Sequence, residues 1–299
     1  MGSERFVRGD GVRLAVREWS SGPGTRRAGG ASGADPPAIL LLHGLASTSH
    51  IWDLVAPRLA GRHRVVAYDQ RGHGRSGKPS SGYGFDRTTA DAVAVIRGLG
   101  LRRPVVVGHS WGASVALQLA VREPRRVAGA VLLDGGFSDL RDRMDWPTAR
   151  RVLAPPQIDG MPLERFLAWP RRAMAGLLDV TPQIEEVFRS LVRVDAEGRI
   201  HRRLSVRNHL KILHAMWAED TVGALRRVRV PTLVLACRTA VPPAGEEAFQ
   251  AAKRHAAETV RAIGGPVRFG WIGGIHDVPL QRPEAVARRI ERFVREARA

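Results

Sequence analysis

Gly108-His109-Ser110-Trp111-Gly112 stands between the apolar run Pro104-Val105-Val106-Val107 and the helix-like run Ala113-Ser114-Val115-Ala116-Leu117-Gln118-Leu119-Ala120. The order is strand, sharp turn, helix, with a serine at the apex. A serine held in such a turn is strained, and only very small residues beside it avoid collision with the strand and the helix. The G-x-S-x-G pattern also recurs by chance. The strand before it and the helix after it make Ser110 a candidate nucleophile rather than an inert hydroxyl in a glycine-lined connection.

Outward from this turn, short apolar runs alternate with longer amphipathic ones. Strands are expected at Ala38 to Leu42, Arg64 to Tyr68, Pro104 to Val107, Val127 to Leu133, Thr232 to Cys237 and Val267 to Ile272. None shows the in-out alternation of a half-exposed strand, so each is expected to carry helices on both faces, as in a parallel sheet. Helices are expected at Trp52 to Leu59, Arg87 to Leu99, Ala113 to Arg122, Gly245 to Ala257 and Pro283 to Ala297. Before them, Val12, Leu14 and Val16 alternate with polar or small residues after Gly9-Asp10-Gly11, which predicts an opening antiparallel hairpin. Ser20 to Pro37, rich in Gly, Ser, Ala and Pro, reads as a mobile loop. Together these give an α/β protein with a mostly parallel eight-stranded sheet, and ligands are expected beyond the carboxyl ends of its strands.

After Asp134 the alternation stops for roughly 90 residues, too long for a connection. Leu163, Phe166, Leu167 and Trp169, then Ile184, Val187, Phe188 and Leu191, then Leu210, Ile212, Leu213, Met216 and Trp217 have helical spacing. The expected division is a core of residues 1–135 and 228–299, with a helical cap at 136–227.

The net charge of +18 raises the question of nucleic acid, but the basic residues run along the whole chain with no block and no recognition module. Lysine occurs only at Lys78, Lys211 and Lys253. Such an arginine excess reads as coding bias, so no nucleic-acid partner is expected; anionic substrates stay open. Cys237 is the only cysteine and sits in an apolar strand, which suits a buried thiol in a reducing compartment. The first residues lack a secretory apolar core, and no run approaches the roughly 18 apolar residues of a membrane span. A cytoplasmic protein without membrane association is expected. Its histidines lack metal-ligand spacing, and no segment ends as a phosphate loop, so neither metal nor cofactor is expected.

Leu40-Leu41-Leu42-His43-Gly44-Leu45, Tyr68-Asp69-Gln70-Arg71-Gly72-His73-Gly74-Arg75-Ser76, the serine turn and Gly274-Ile275-His276-Asp277 together resemble the α/β-hydrolase superfamily. The likeness covers nearly all of the chain outside the cap. It is greatest to the cap-bearing branch of esterases, carbon–carbon bond hydrolases, epoxide hydrolases and haloalkane dehalogenases. In the last two the turn residue is aspartate, so Ser110 argues for acyl transfer. The resemblance implies His276 as general base, and His43, His73 and His109 as structural. It implies an oxyanion hole from the main-chain amides of Leu45 and Trp111, whose side chains are expected to wall the pocket.

The acid departs from the common pattern. Most relatives carry an aspartate after the seventh strand, where this chain has Cys237-Arg238-Thr239-Ala240. Asp134, after the sixth strand in Leu132-Leu133-Asp134-Gly135-Gly136, is the preferred replacement, since some relatives place the acid there. Its rival role is a turn former or helix cap. Glu246 or Glu247, or no acid at all, are the alternatives. Asp277 is expected to point elsewhere, and Asp69 to brace the turn after the fourth strand.

The expected activity is hydrolysis of a small ester, thioester, lactone or activated carbon–carbon bond through an acyl-enzyme. A binding protein or receptor with vestigial turnover is the alternative, favoured only by Ala240. Cofactor-free perhydrolase or haloperoxidase-like activity would use the same residues.

Overall fold

A computed structural model describes residues 2–20, 37–239 and 247–297. Most of the stretch expected as a mobile loop, residues 21–36, lies outside them, as do Ala240 and Glu246.

Eight strands form one sheet: β1 (Ser3–Arg8), β2 (Arg13–Trp19), β3 (Ile39–Leu42), β4 (Val65–Tyr68), β5 (Val105–His109), β6 (Gly129–Leu133), β7 (Thr232–Arg238) and β8 (Val267–Gly273). Their spatial order is β1-β2-β4-β3-β5-β6-β7-β8. β1 and β2 pair antiparallel, β2 meets β4 antiparallel, and every later pair is parallel. This is the α/β-hydrolase fold.

Both faces of the central strands are covered. Leu40, Leu42 and Val106 turn to one core cluster, with Val95, Leu117 and Val260 from the helices Phe85–Gly98, Trp111–Arg122 and Glu247–Ile263. Ile39, Leu41, Val105 and Val107 turn to the other, with Leu59, Ile290 and Phe293. Period-two alternation therefore persists in space but disappears from the sequence, because each face meets apolar side chains. Helix Pro283–Glu296 shows the complementary logic: Val286, Ile290 and Phe293 form one buried stripe, and Pro283 tolerates the first turn, where its missing N–H has no partner to lose.

Two expectations need correction. Trp52 to Leu59 is not one helix: a 3₁₀ turn at Ser49–Trp52 precedes the helix Ala56–Ala60. Pro57 has no N–H to donate to the carbonyl four residues back, so a continuous helical ladder cannot run through it, and it sits instead in the first turn of the later helix. Nor is the segment between β6 and β7 purely helical. It holds helices Trp146–Val152, Leu163–Ala173, Pro182–Ser190, Val206–Ala218 and Thr221–Arg227, and also an antiparallel hairpin of Val192–Val194 with Ile200–Arg202. Asp195 closes that hairpin by accepting from the amides of Glu197 and Arg199, and Gly198 takes a φ of 74°. Strands of three residues are too short to leave a periodic signal.

Among the described residues no helix is long and apolar enough to cross a membrane.

Candidate active site

β5 ends at His109, and Ser110 follows with φ 56° and ψ −122°, outside the ordinary regions for an L-residue. Ser110 N donates to Leu133 O at 2.9 Å, which ties the turn to the end of β6. The flanking glycines are needed for close approach. A Cβ on Gly108 would run into the backbone of Gly112, and one on Gly112 into the carbonyls of Leu42 and His43. The loop after β3 also lies against the serine: a Cβ on Gly44 would come 3.0 Å from Ser110 Cβ and 3.4 Å from its Oγ.

Asp134, directly after β6, is another non-glycine residue with positive φ (48°). Its side chain is wholly buried. Oδ1 accepts from Cys237 N at 2.7 Å, and Oδ2 lies 2.7 Å from His276 Nδ1. A lysine completes the group. Lys253 Nζ stands 2.8 Å from Oδ1 and 2.9 Å from Oδ2, and donates to Cys237 O at 3.1 Å. Lys253 is 1% exposed. Burial favours the neutral acid, but His276 and Lys253 outweigh it and bring the Asp134 pKa down to about 2.

His276 comes from the loop after β8. That loop is held by Gly274 N to Arg238 O (2.9 Å), by Ile275 N to Gln281 Oε1 (2.9 Å), and by Gly274 itself at φ 144°. Burial works against the imidazolium, while the hydrogen bond and charge of Asp134 favour it more, so the His276 pKa lies above its ordinary value. The Asp134 contact requires a proton on Nδ1, which leaves Nε2 able to accept one. Asp134 thus lies within hydrogen-bond distance of His276; Glu247 begins the helix that carries Lys253.

The other histidines are engaged locally. His43 Nδ1 donates to Gly44 O (2.8 Å) and its Nε2 accepts from Gln70 N (2.9 Å). His73 Nε2 accepts from Ala46 N (3.2 Å) while Nδ1 donates to Arg71 O (3.0 Å). His109 Nε2 donates to His276 O at 2.9 Å, and the two rings lie 4.8 Å apart. Burial lowers the pKa of all three, that of His109 to about 3. Asp69 accepts from Ser49 N and Arg75 N, both at 2.8 Å, and so braces the turn after β4.

Trp111 opens its helix, so its N–H has no intrahelical acceptor. Its side chain departs from expectation. Trp111 is fully buried and stacks on His73 at 5.3 Å between ring centres. A cavity of about 500 Å³ runs instead from Ala46, Ser47, Thr48 and His73 to the segment between β6 and β7. Neither Leu45 nor Trp111 lines it: Trp111, at a helix start, leans back into the core, and Leu45, in the turn after β3, packs against the same core cluster. Ser110, Asp134 and His276 do not line it either; its inner end reaches the residue after Leu45 and the ring stacked on Trp111.

Lys253 was not singled out from the sequence, although a signal existed. Ala256, Ala257 and Val260 form the buried stripe of their helix, and Lys253 occupies the preceding position of that same stripe.

A family profile described as alpha/beta hydrolase fold matches residues 37–172. Non-heme chloroperoxidase of Streptomyces lividans is 30% identical over 238 residues, 75% of this chain and 78% of that protein. The chain belongs to the α/β-hydrolase family. Within it, haloalkane dehalogenase of Mesorhizobium japonicum is 37% identical over 123 residues, and this match spans 40% of either protein. The crystal structure of E-2-(acetamidomethylene)succinate hydrolase shares the α/β-hydrolase fold, with a TM-score of 0.76 over 99% of this chain and 100% of that one at 24% identity.

Proposed function

We propose that this α/β-hydrolase-family protein is a carboxylesterase-like serine hydrolase of a small ester, thioester, lactone or activated carbon–carbon bond. The observation that carries the reading is the 2.7 Å contact of His276 Nδ1 with a buried, ionised Asp134, at the strand end beside a strained Ser110. Ser110 Oγ attacks the substrate carbonyl while His276 Nε2 takes its proton. The amides of Leu45 and Trp111 hold the oxyanion, and Asp134 fixes the tautomer and stabilises the imidazolium. His276 then protonates the leaving group, and a water activated by the same nitrogen releases the acid and frees the serine. Residues 136–227 act as a cap over this edge of the sheet. A cytoplasmic setting suits a chain whose only cysteine is buried.

With Asp134 beside His276, Ala240 no longer argues for a binding protein without turnover. The match to a chloroperoxidase favours one second reading, perhydrolysis, in which hydrogen peroxide intercepts the acyl-enzyme in place of water and yields a peracid.

The test needs no known substrate. Wild type and Ser110→Ala are incubated with a fluorophosphonate and weighed intact. A single adduct present only in wild type supports the reading; well-folded wild type that stays unlabelled refutes it.

A further inference from the structure

The cavity has an apolar wall and a cationic one. Ile158, Met161, Phe166, Phe188, Leu191 and Leu204 supply the first. Arg165, Arg172, Arg202 and Arg203 supply the second, and no Asp or Glu lies among the lining residues. Arginine is abundant in this chain, so its presence alone means little; its partners decide.

Arg202 is already neutralised, since its Nε meets Asp159 Oδ2 at 2.5 Å. Buried arginines elsewhere are likewise paired, Arg17 with Asp53 and Arg71 with Asp91. Arg203 differs. It is half-buried, its Nε donates to Val192 O at 2.9 Å, and its terminal nitrogens have no protein acceptor among the described residues. Lys78 adds a second cation nearby. Among the described residues its Nζ meets only the carbonyls of Gly74 (3.0 Å) and Ser76 (2.8 Å), and Gly74 is itself a cavity wall. Burial and then the charge of Arg203 lower the Lys78 pKa, as expected of two cations sharing a corner. A partly desolvated guanidinium with a free fork is matched by a planar carboxylate, which it can hold with two parallel hydrogen bonds. The apolar wall asks for a hydrocarbon spacer.

We infer that the cavity binds a substrate carboxylate against Arg203, so that the preferred substrates are acyl compounds whose apolar chain ends in a carboxylate remote from the scissile carbonyl. This rests on the hydrolase reading above: water cleaves the acyl bond, and the products are a dicarboxylate and the leaving alcohol, thiol or carbon acid. The chain's net charge of +18 adds long-range attraction for such anions.

The experiment compares two esters of equal chain length, the 4-nitrophenyl half-ester of adipic acid and 4-nitrophenyl hexanoate. The kcat/KM ratio of the acidic over the neutral ester should be at least about tenfold in wild type and should fall with added salt. Arg203→Gln should lower that ratio at least about tenfold, and Arg203→Lys by less, since it keeps the charge and loses the fork. A wild-type ratio near one overturns the inference, as does a ratio that Arg203→Gln leaves unchanged; in both cases hydrolysis of the neutral ester leaves the hydrolase reading standing. If neither ester is hydrolysed, the hydrolase reading is the one in trouble. Calorimetric titration of Ser110→Ala with the two esters then judges the cavity by itself: tighter binding of the half-ester supports the inference, and equal binding overturns it.

Discussion

Lys253→Met exchanges the buried ammonium for an apolar chain of similar length, so the change removes a charge without opening a large cavity. Asp134 then keeps His276 and the Cys237 amide and loses a partner that stood within 2.9 Å of both its oxygens. Removing one member of a buried ion pair costs about 3 to 5 kcal/mol, and the two remaining partners put this case near the lower figure. About 3 kcal/mol corresponds to a fall in Tm of roughly 6–12 °C for a chain of this size. Asp134→Asn with Lys253→Met removes both charges, so the double variant should be more stable than the sum of the singles by about 2 kcal/mol. A second readout separates charge from packing. Lys253 lowers the His276 pKa through space, so its removal should raise it. The NMR titration of His276 in the Ser110→Ala background should move to higher pH, and the acid limb of kcat/KM with it. Activity then suffers more on the acid side, where His276 carries a proton on Nε2 and cannot act as base. A Lys253→Met protein with wild-type Tm and an unmoved His276 titration would refute the reasoning.

Ser110→Ala and His276→Ala should each lower turnover about a million-fold and Asp134→Asn about ten-thousand-fold, measured on any ester the wild type cleaves; near-full activity in Asp134→Asn removes it from the acid role. Gly112→Ala drives a Cβ into the carbonyls of Leu42 and His43, which cannot retreat without moving β3, so urea unfolding should report a loss of about 3 kcal/mol. Glu219 offers a pH-dependent case. It is 7% exposed, accepts from Gln118 Nε2 at 3.0 Å, and burial raises its pKa to about 7. The folded protein therefore holds this proton more tightly than the unfolded chain. The resulting stability is complete below pH about 4.5 and is lost as pH rises through about 7, at most roughly 3 kcal/mol. Glu219→Gln should raise Tm at pH 8 and leave it nearly unchanged at pH 4.5; equal effects at both would show that Glu219 is not held protonated.

The turn around Ser110 was legible because each requirement is local. A sharp turn demands glycines within two residues of the serine, a parallel strand demands a short apolar run, and the histidine loop announces itself by Gly274 and the prolines after it. The sheet was legible for the same reason, down to the antiparallel hairpin at its edge. Trp52 to Leu59 failed where apolar spacing outweighed a proline, and the hairpin at Val192–Val194 and Ile200–Arg202 failed because three-residue strands have no period to read.

Sequence by itself determined the strand-turn-helix at Ser110, the parallel core, and a short set of carboxylates that could serve His276. Only the tertiary structure shows that Asp134 touches His276. The pairing of β6 with β7 sets Asp134 N on Leu235 O and its carboxylate on Cys237 N, and the loop after β8 carries His276 Nδ1 to within 2.7 Å of Oδ2. Lys253 and Arg203 likewise gain their meaning only in space. Charge pairing acts over a few ångströms between groups far apart in the chain, so whether a cation is neutralised or left free is a property of the packing that surrounds it.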